Sequence, residues 1–137
     1  MGLFYADSSA LVKLVREEPE SPALRAFLAE ADIVTCELVL TELPRAIRRA
    51  AAHDPGLPLD LLIERAGETL EAVALLPLDR PLLLAAGAFA EPALRTLDAI
   101  HVAAAVDVSP LDAFVSYDER QAAAARLAGL RTVQPGR

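Results

Sequence analysis

Several residue types are scarce in this 137-residue chain, and each scarcity excludes something. A single cysteine, Cys36, excludes an intramolecular disulfide and any cysteine-rich zinc site, and reads as a buried free thiol in a reducing compartment. Aromatic residues make up 4% and tryptophan is absent, so the core must be aliphatic. Lys13 is the sole lysine, and the arginines never gather into a basic run or tail. With a net charge of −7, bulk electrostatics do not favour nucleic acid. No apolar stretch reaches the ~20 residues that span a bilayer. The chain reaches Asp7 without the charged start of a secretory leader. A soluble cytoplasmic protein, with no membrane partner, is the expectation.

What is present is alanine and leucine, within a hydrophobic fraction of 54%. The composition and length predict one helix-rich domain over residues 1–137 with a real core. The stretch Leu3-Phe4-Tyr5-Ala6 reads as a buried strand, and Asp7-Ser8-Ser9 supplies helix-capping residue types. Helices are expected over 10–17 and 22–30, the second capped by Ser21, with a strand at 33–35 between them and the next helix. That helix, 37–52, carries Pro44, which is expected to kink it. After a turn at 53–58 come a helix at 59–70, a strand at 72–78 and a helix at 81–90. Thr96 is expected to cap the apolar helix LRTLDAIHVAAAV, followed by a strand at 113–116, a helix at 118–127 closed by Gly129, and a strand at 131–133. Short strands, apolar on both faces and separated by helices, predict a parallel sheet covered on both sides.

Acids fall at the strand ends and helix starts of this pattern. Ligands in open α/β sheets bind beyond the carboxyl ends of the strands. Asp7 follows the first strand directly, and Asp118 follows the fourth within Ser116-Tyr117-Asp118. Asp98 interrupts the apolar helix in its first turn. Each alone reads equally as a helix cap or a partner of the helix dipole, worth about 0.3–1 kcal/mol. Glu42 lies near Leu38, Val39 and Ala46 on its helix and is expected to point inward, while Glu37 faces elsewhere. His101, one turn after Asp98, reads as a core histidine with a satisfied hydrogen bond. Together the acids say more than they do singly. Converging carboxylates repel and resist burial, and a fold keeps such a cluster where a cation binds it. Oxygen ligands without paired His or Cys suit Mg2+ or Mn2+ over zinc. Acidic metal pockets of this kind serve phosphoryl chemistry.

Four segments carry a resemblance to a known family. Tyr5-Ala6-Asp7-Ser8-Ser9-Ala10-Leu11-Val12-Lys13-Leu14 resembles the opening of a PIN-domain protein. Thr41-Glu42-Leu43 is similar to the second family motif and Leu94 to Ala105 to the third. Ser116-Tyr117-Asp118-Glu119-Arg120, with Ala125, Gly129, Leu130 and Pro135 after it, resembles the end of the domain. Within that family the chain is similar to the short VapC toxins of type II toxin–antitoxin pairs. The resemblance implies an α/β fold, a three-layer α/β/α arrangement around a short, mostly parallel sheet of about 4–5 strands. It implies a Mg2+-dependent endoribonuclease, with Mn2+ as an alternative metal, in which Asp7, Glu42, Asp98 and Asp118 form the catalytic and metal site. Ser8 and Ser116 would support those acids by hydrogen bonds. In-line attack by a metal-activated water would leave a 5′-phosphate and a 3′-hydroxyl. A cognate antitoxin, a homodimer, and contact with DNA only through the antitoxin are implied as well.

Lys13, Arg16, Arg45, Arg48 and Arg49 are the candidates for steering RNA despite the net charge, although each also reads as a solvated helix face. Leu24, Leu28 and the 37–52 helix are a candidate surface for an antitoxin segment or, equally, for a dimer contact. A haloacid-dehalogenase-like hydrolase would need a second aspartate where Ser9 stands. The other alternative is a catalytically silent PIN-fold binding module that acts with an antitoxin-like partner at operator DNA.

Overall fold

The computed structural model describes residues 2–137. In chain order the elements are β1 (Leu3–Ala6), α1 (Ser8–Val15), α2 (Ser21–Leu28), β2 (Asp32–Cys36), α3 (Val39–His53) and α4 (Leu59–Glu71). Then follow β3 (Ala74–Leu76), α5 (Arg80–Gly87), α6 (Thr96–Asp107), β4 (Ala113–Val115), α7 (Glu119–Leu127) and β5 (Thr132–Val133). The five strands form one sheet in the order β3-β2-β1-β4-β5, and every neighbouring pair is parallel. In register, Tyr5 of β1 lies between Val34 of β2 and Phe114 of β4.

Successive residues of a strand face opposite sides of a sheet, and here both sides are core. Tyr5 and Phe114 stack with ring centroids 5.2 Å apart, on the face covered by α5, α6 and α7. Ala6 and Val115, the next residues along, face α1, α2, α3 and α4. The apolar character of α6 follows from its place: Ala99 to Ala105 are all buried, and the run of alanines lets the helix lie close to the sheet.

From β1 the chain moves to β2 and β3 on one side, then returns to β4 and β5 on the other. The direction therefore reverses beside β1, and the crevice at such a reversal lies outside the carboxyl ends of the flanking strands. Asp7 and Ser116 are the residues that leave β1 and β4 at that crevice.

Three local expectations are corrected. Strand β3 is shorter than 72–78: Ala72 caps the end of α4, and Pro77, which has no N–H for the ladder, directly follows the strand. Ser21 does not cap α2; it is buried and its Oγ donates to the Lys13 carbonyl at 2.6 Å. Thr96 is the first residue of α6, not its cap; Arg95 takes that place without a side-chain cap bond. Helix α3 continues on both sides of Pro44. The carbonyl that Pro44 leaves unpaired belongs to Leu40, an exposed position where water can reach it.

Candidate active site

Asp7 is the most enclosed acid, at 2% exposure. It caps α1 through Oδ1, which accepts from the Ala10 N–H at 3.1 Å and from Ser9 Oγ at 2.6 Å. Its Oδ2 accepts from Ser116 Oγ at 2.6 Å and from Gln121 Nε2 at 3.1 Å. Burial pushes its pKa up, against the bonds from Ser116 and Ser9, which pull it down. The serine after the aspartate that matters is thus Ser9 and not Ser8: Ser8 opens α1, while Ser9 both donates to Asp7 and accepts from the Tyr117 N–H at 2.8 Å. Ser116 bridges two acids, accepting from the Asp118 N–H at 3.1 Å while it donates to Asp7.

Asp118 is exposed and caps α7, with Oδ1 accepting from the N–H groups of Arg120 and Gln121 at 2.9 and 3.2 Å. The spacing Asp118-Glu119-Arg120-Gln121 is that of a capping box, in which the fourth side chain would return to the cap N–H. That half of the box is taken over by Ser116, and Gln121 turns inward to Asp7 instead. The Gln121 Oε1 is buried without a partner. Gln121 was not expected at the site; only its capping-box spacing marked it in the sequence.

Asp98 lies half-buried in the first turn of α6. Its pKa is raised, first by burial, then by the nearby charge of Asp118 and, more weakly, of Asp7; His101 and Arg95 pull the other way. So three aspartates from three helix starts share one electrostatic neighbourhood. Glu42, in the first turn of α3, turns inward as its helix position predicts, and its Oε1 lies 2.6 Å from His101 Nε2. Glu37 faces away and accepts from the Leu78 N–H.

The basic residues separate into two groups. Lys13 is removed from the RNA-steering set: it is 7% exposed, and its Nζ donates to Glu18 and Glu20 at 2.5 and 2.8 Å and lies 4.8 Å from the Tyr117 ring centroid. Arg16 is half-buried, 3.8 Å from Glu18. Arg45, one turn from Glu42, is exposed and enters no ion pair among the described residues. Leu24 and Leu28 are buried in the core of α1–α4 and offer no partner surface. On the 37–52 helix Leu40 is exposed, and further exposed leucines include Leu83 and Leu84 on α5 and Leu127 on α7.

The donor set fits a hard divalent cation by its chemistry: carboxylate oxygens that repel one another, with Asp98 held above its ordinary range. The arrangement is open. Among the described residues, no three His, Cys, Asp or Glu side chains close into a ready cage. Among them, too, no helix is long and apolar enough to cross a membrane.

Comparison with known proteins places this geometry. The family model for the PIN domain matches residues 4–127. Ribonuclease VapC47 of Mycobacterium tuberculosis is 38% identical over 98% of both chains, and ribonuclease VapC35 of the same species is 40% identical over the same shares. Among solved structures, M. tuberculosis VapC20, a toxin that cleaves the sarcin–ricin loop, superposes with a TM-score of 0.72 at 18% identity, covering 96% of this chain and 99% of that one. VapBC2 of Rickettsia felis, solved with a fragment of its promoter DNA, superposes with a TM-score of 0.64 at 12% identity, over 97% and 98% of the two chains. The parallel sheet, the aspartates at its switch point and these matches agree: the chain belongs to the PIN-domain family, on its VapC branch.

Proposed function

We propose that this protein is a Mg2+-dependent endoribonuclease, the toxin of a type II toxin–antitoxin pair, and that a cognate antitoxin neutralises it. The observation that carries the reading is the mutual field of Asp7, Asp98 and Asp118 at the carboxyl ends of β1 and β4. Three like charges stand there where helix starts favour anions, and their repulsion is relieved by a bound cation. Asp7, Asp98 and Asp118, with Glu42, would hold Mg2+, and Mn2+ would serve in its place. When bound, the metal supplies a lowered water pKa and offsets phosphate charge.

The residues divide the remaining work. Ser9, Ser116 and the Ala10 N–H pull the Asp7 pKa down against the effect of burial, and together with Gln121 they fix its carboxylate in place. Asp118 and Asp98, the more open acids, face the solvent from which RNA arrives. Arg45, one turn from Glu42 on α3, supplies positive charge near an otherwise acidic mouth, whereas Arg16 lies at the other end of α1 from Asp7. Supporting the antitoxin and homodimer readings, Leu83, Leu84 and Leu127 leave apolar surface for a partner to cover.

The experiment is induction of this chain alone in a bacterial host beside Asp98→Asn, with total RNA run on a gel. Growth arrest with discrete RNA fragments in the parent only is expected, and the purified protein should lose cleavage in EDTA and leave 5′-phosphate and 3′-hydroxyl ends. Cleavage that survives EDTA and leaves 2′,3′-cyclic phosphates would overturn the reading. Co-expression of the cognate antitoxin should restore growth.

A further inference from the structure

We propose that His101 is a positioning residue: braced by Tyr5, it holds the Glu42 carboxylate at the acid site with only one oxygen committed to the protein. The inference rests on the metal-site reading above.

His101 lies one turn after Asp98 on α6, so the two side chains share a face of that helix. It is 1% exposed in a stretch where its neighbours Ala99, Ile100, Val102 and Ala103 are apolar. A leucine would fill such a position without a polar group to satisfy. The imidazole instead joins a buried polar chain across three elements. Its Nε2 lies 2.6 Å from Glu42 Oε1 on α3, and its Nδ1 lies 2.7 Å from the Tyr5 hydroxyl on β1. An ionised carboxylate only accepts, so Nε2 carries the hydrogen of the Glu42 bond. The Tyr5 hydroxyl then meets Nδ1 as donor to a neutral ring or as acceptor from a charged one. Tyr5 itself cannot swing, because it is fully buried and stacked on Phe114 at an interplanar angle of 7°.

With both ring nitrogens engaged, the imidazole is fixed in rotation, and so is the direction of its N–H. That direction sets where Glu42, a side chain with three rotatable bonds, places its carboxylate. Among the described residues Oε2 of Glu42 accepts no hydrogen bond and is free to bind a cation. A second support is that His101 also pulls down the pKa of Asp7 and of Asp98, so its influence on the acids extends beyond Glu42. Partners of this kind, one bond removed from a metal, fix ligand orientation, and their loss costs about 10–100-fold in metal affinity.

The test is Mg2+ and Mn2+ binding to the purified metal-free protein by calorimetry, for the parent, His101→Leu, His101→Gln and Tyr5→Phe, with circular dichroism to verify folding. His101→Leu should weaken metal binding by about 10–100-fold. His101→Gln, which keeps an N–H near the Nε2 position, should recover most of that loss. In a Glu42→Gln background His101→Leu should add nothing, because it acts through Glu42. In RNA cleavage the metal concentration for half-maximal rate should move by the same factor as the affinity. A folded His101→Leu protein with the parent's affinity would overturn the inference, as would an undiminished loss on top of Glu42→Gln. If His101→Leu does not fold, Tyr5→Phe, which removes one oxygen, decides: a severalfold weakening supports the brace and an unchanged affinity overturns it. A parent that binds neither metal overturns the metal reading and this inference together, whereas a parent that binds and variants that bind equally overturn this inference alone.

Discussion

Replacing Asp7 by alanine removes four hydrogen bonds at once, and their costs are unequal. The Ala10 N–H loses its cap acceptor, at about 1 kcal/mol within a range of 0.5–2. The Gln121 Nε2, buried beside it, loses its partner at about 1–3 kcal/mol. The two hydroxyls lose less. Ser9 Oγ still accepts from Tyr117 N–H, and Ser116 Oγ still accepts from Asp118 N–H and can turn to the Asp118 carbonyl at 3.4 Å. Removing a carboxylate whose pKa burial has raised returns part of the sum. The net loss is about 2–4 kcal/mol, or a fall in Tm of roughly 6–15 °C for a domain of this size. The assay is thermal melting in EDTA, where no metal contributes. Asp7→Asn should fall less, because the Gln121 amide can turn its unpartnered Oε1 toward the new N–H. A Tm for Asp7→Ala within about 2 °C of the parent would refute the reasoning that Asp7 anchors α1 and α7 to the sheet edge. A confirmed loss means that inactivity of Asp7→Ala reports on folding as well as on chemistry.

Asp98→Asn should behave in the opposite way, stabilising the metal-free protein by a few tenths of a kcal/mol, the screened value for a half-exposed repelling charge, while abolishing cleavage; a drop in Tm would count against the repulsion. Lys13→Gln should lower Tm and leave RNA affinity unchanged, whereas Arg45→Gln should leave Tm unchanged and weaken RNA binding, both read by melting and filter binding. Glu20 gives a pH signature. The bonds from Lys13 and Arg137 lower its pKa to about 2, so its contribution is whole above the unfolded value of 4.5 and is lost as pH falls through about 2. Acid denaturation of Glu20→Gln should therefore be shallower than the parent's below pH 4.5, and parallel curves would show that the Glu20 bonds carry no stability.

Element order and type were legible in the residues, because hydrophobic period and capping residues act within a few positions. Asp7, Asp98 and Asp118 were legible as strand-end or helix-start acids for the same reason. The corrections came where a side chain had a distant competitor. Ser21 has cap chemistry, but the Lys13 carbonyl across a turn took its hydroxyl. Lys13 has the chemistry of an RNA contact, but Glu18, Glu20 and Tyr117 enclose it. Ser9 stands in for Ser8 because the first turn of α1 aims the former at both Asp7 and Tyr117.

The sequence by itself determined the alternation of strands and helices, the aliphatic core and the positions of the acids along the chain, since these depend on local propensity and spacing. Only the tertiary structure decided which acids share a field, that Gln121 serves Asp7 and not its own cap, and that His101 links Tyr5 to Glu42 across 96 and 59 residues of chain. Those pairings arise where β1 and β4 meet at the point of strand reversal, and no local pattern in the chain encodes that meeting.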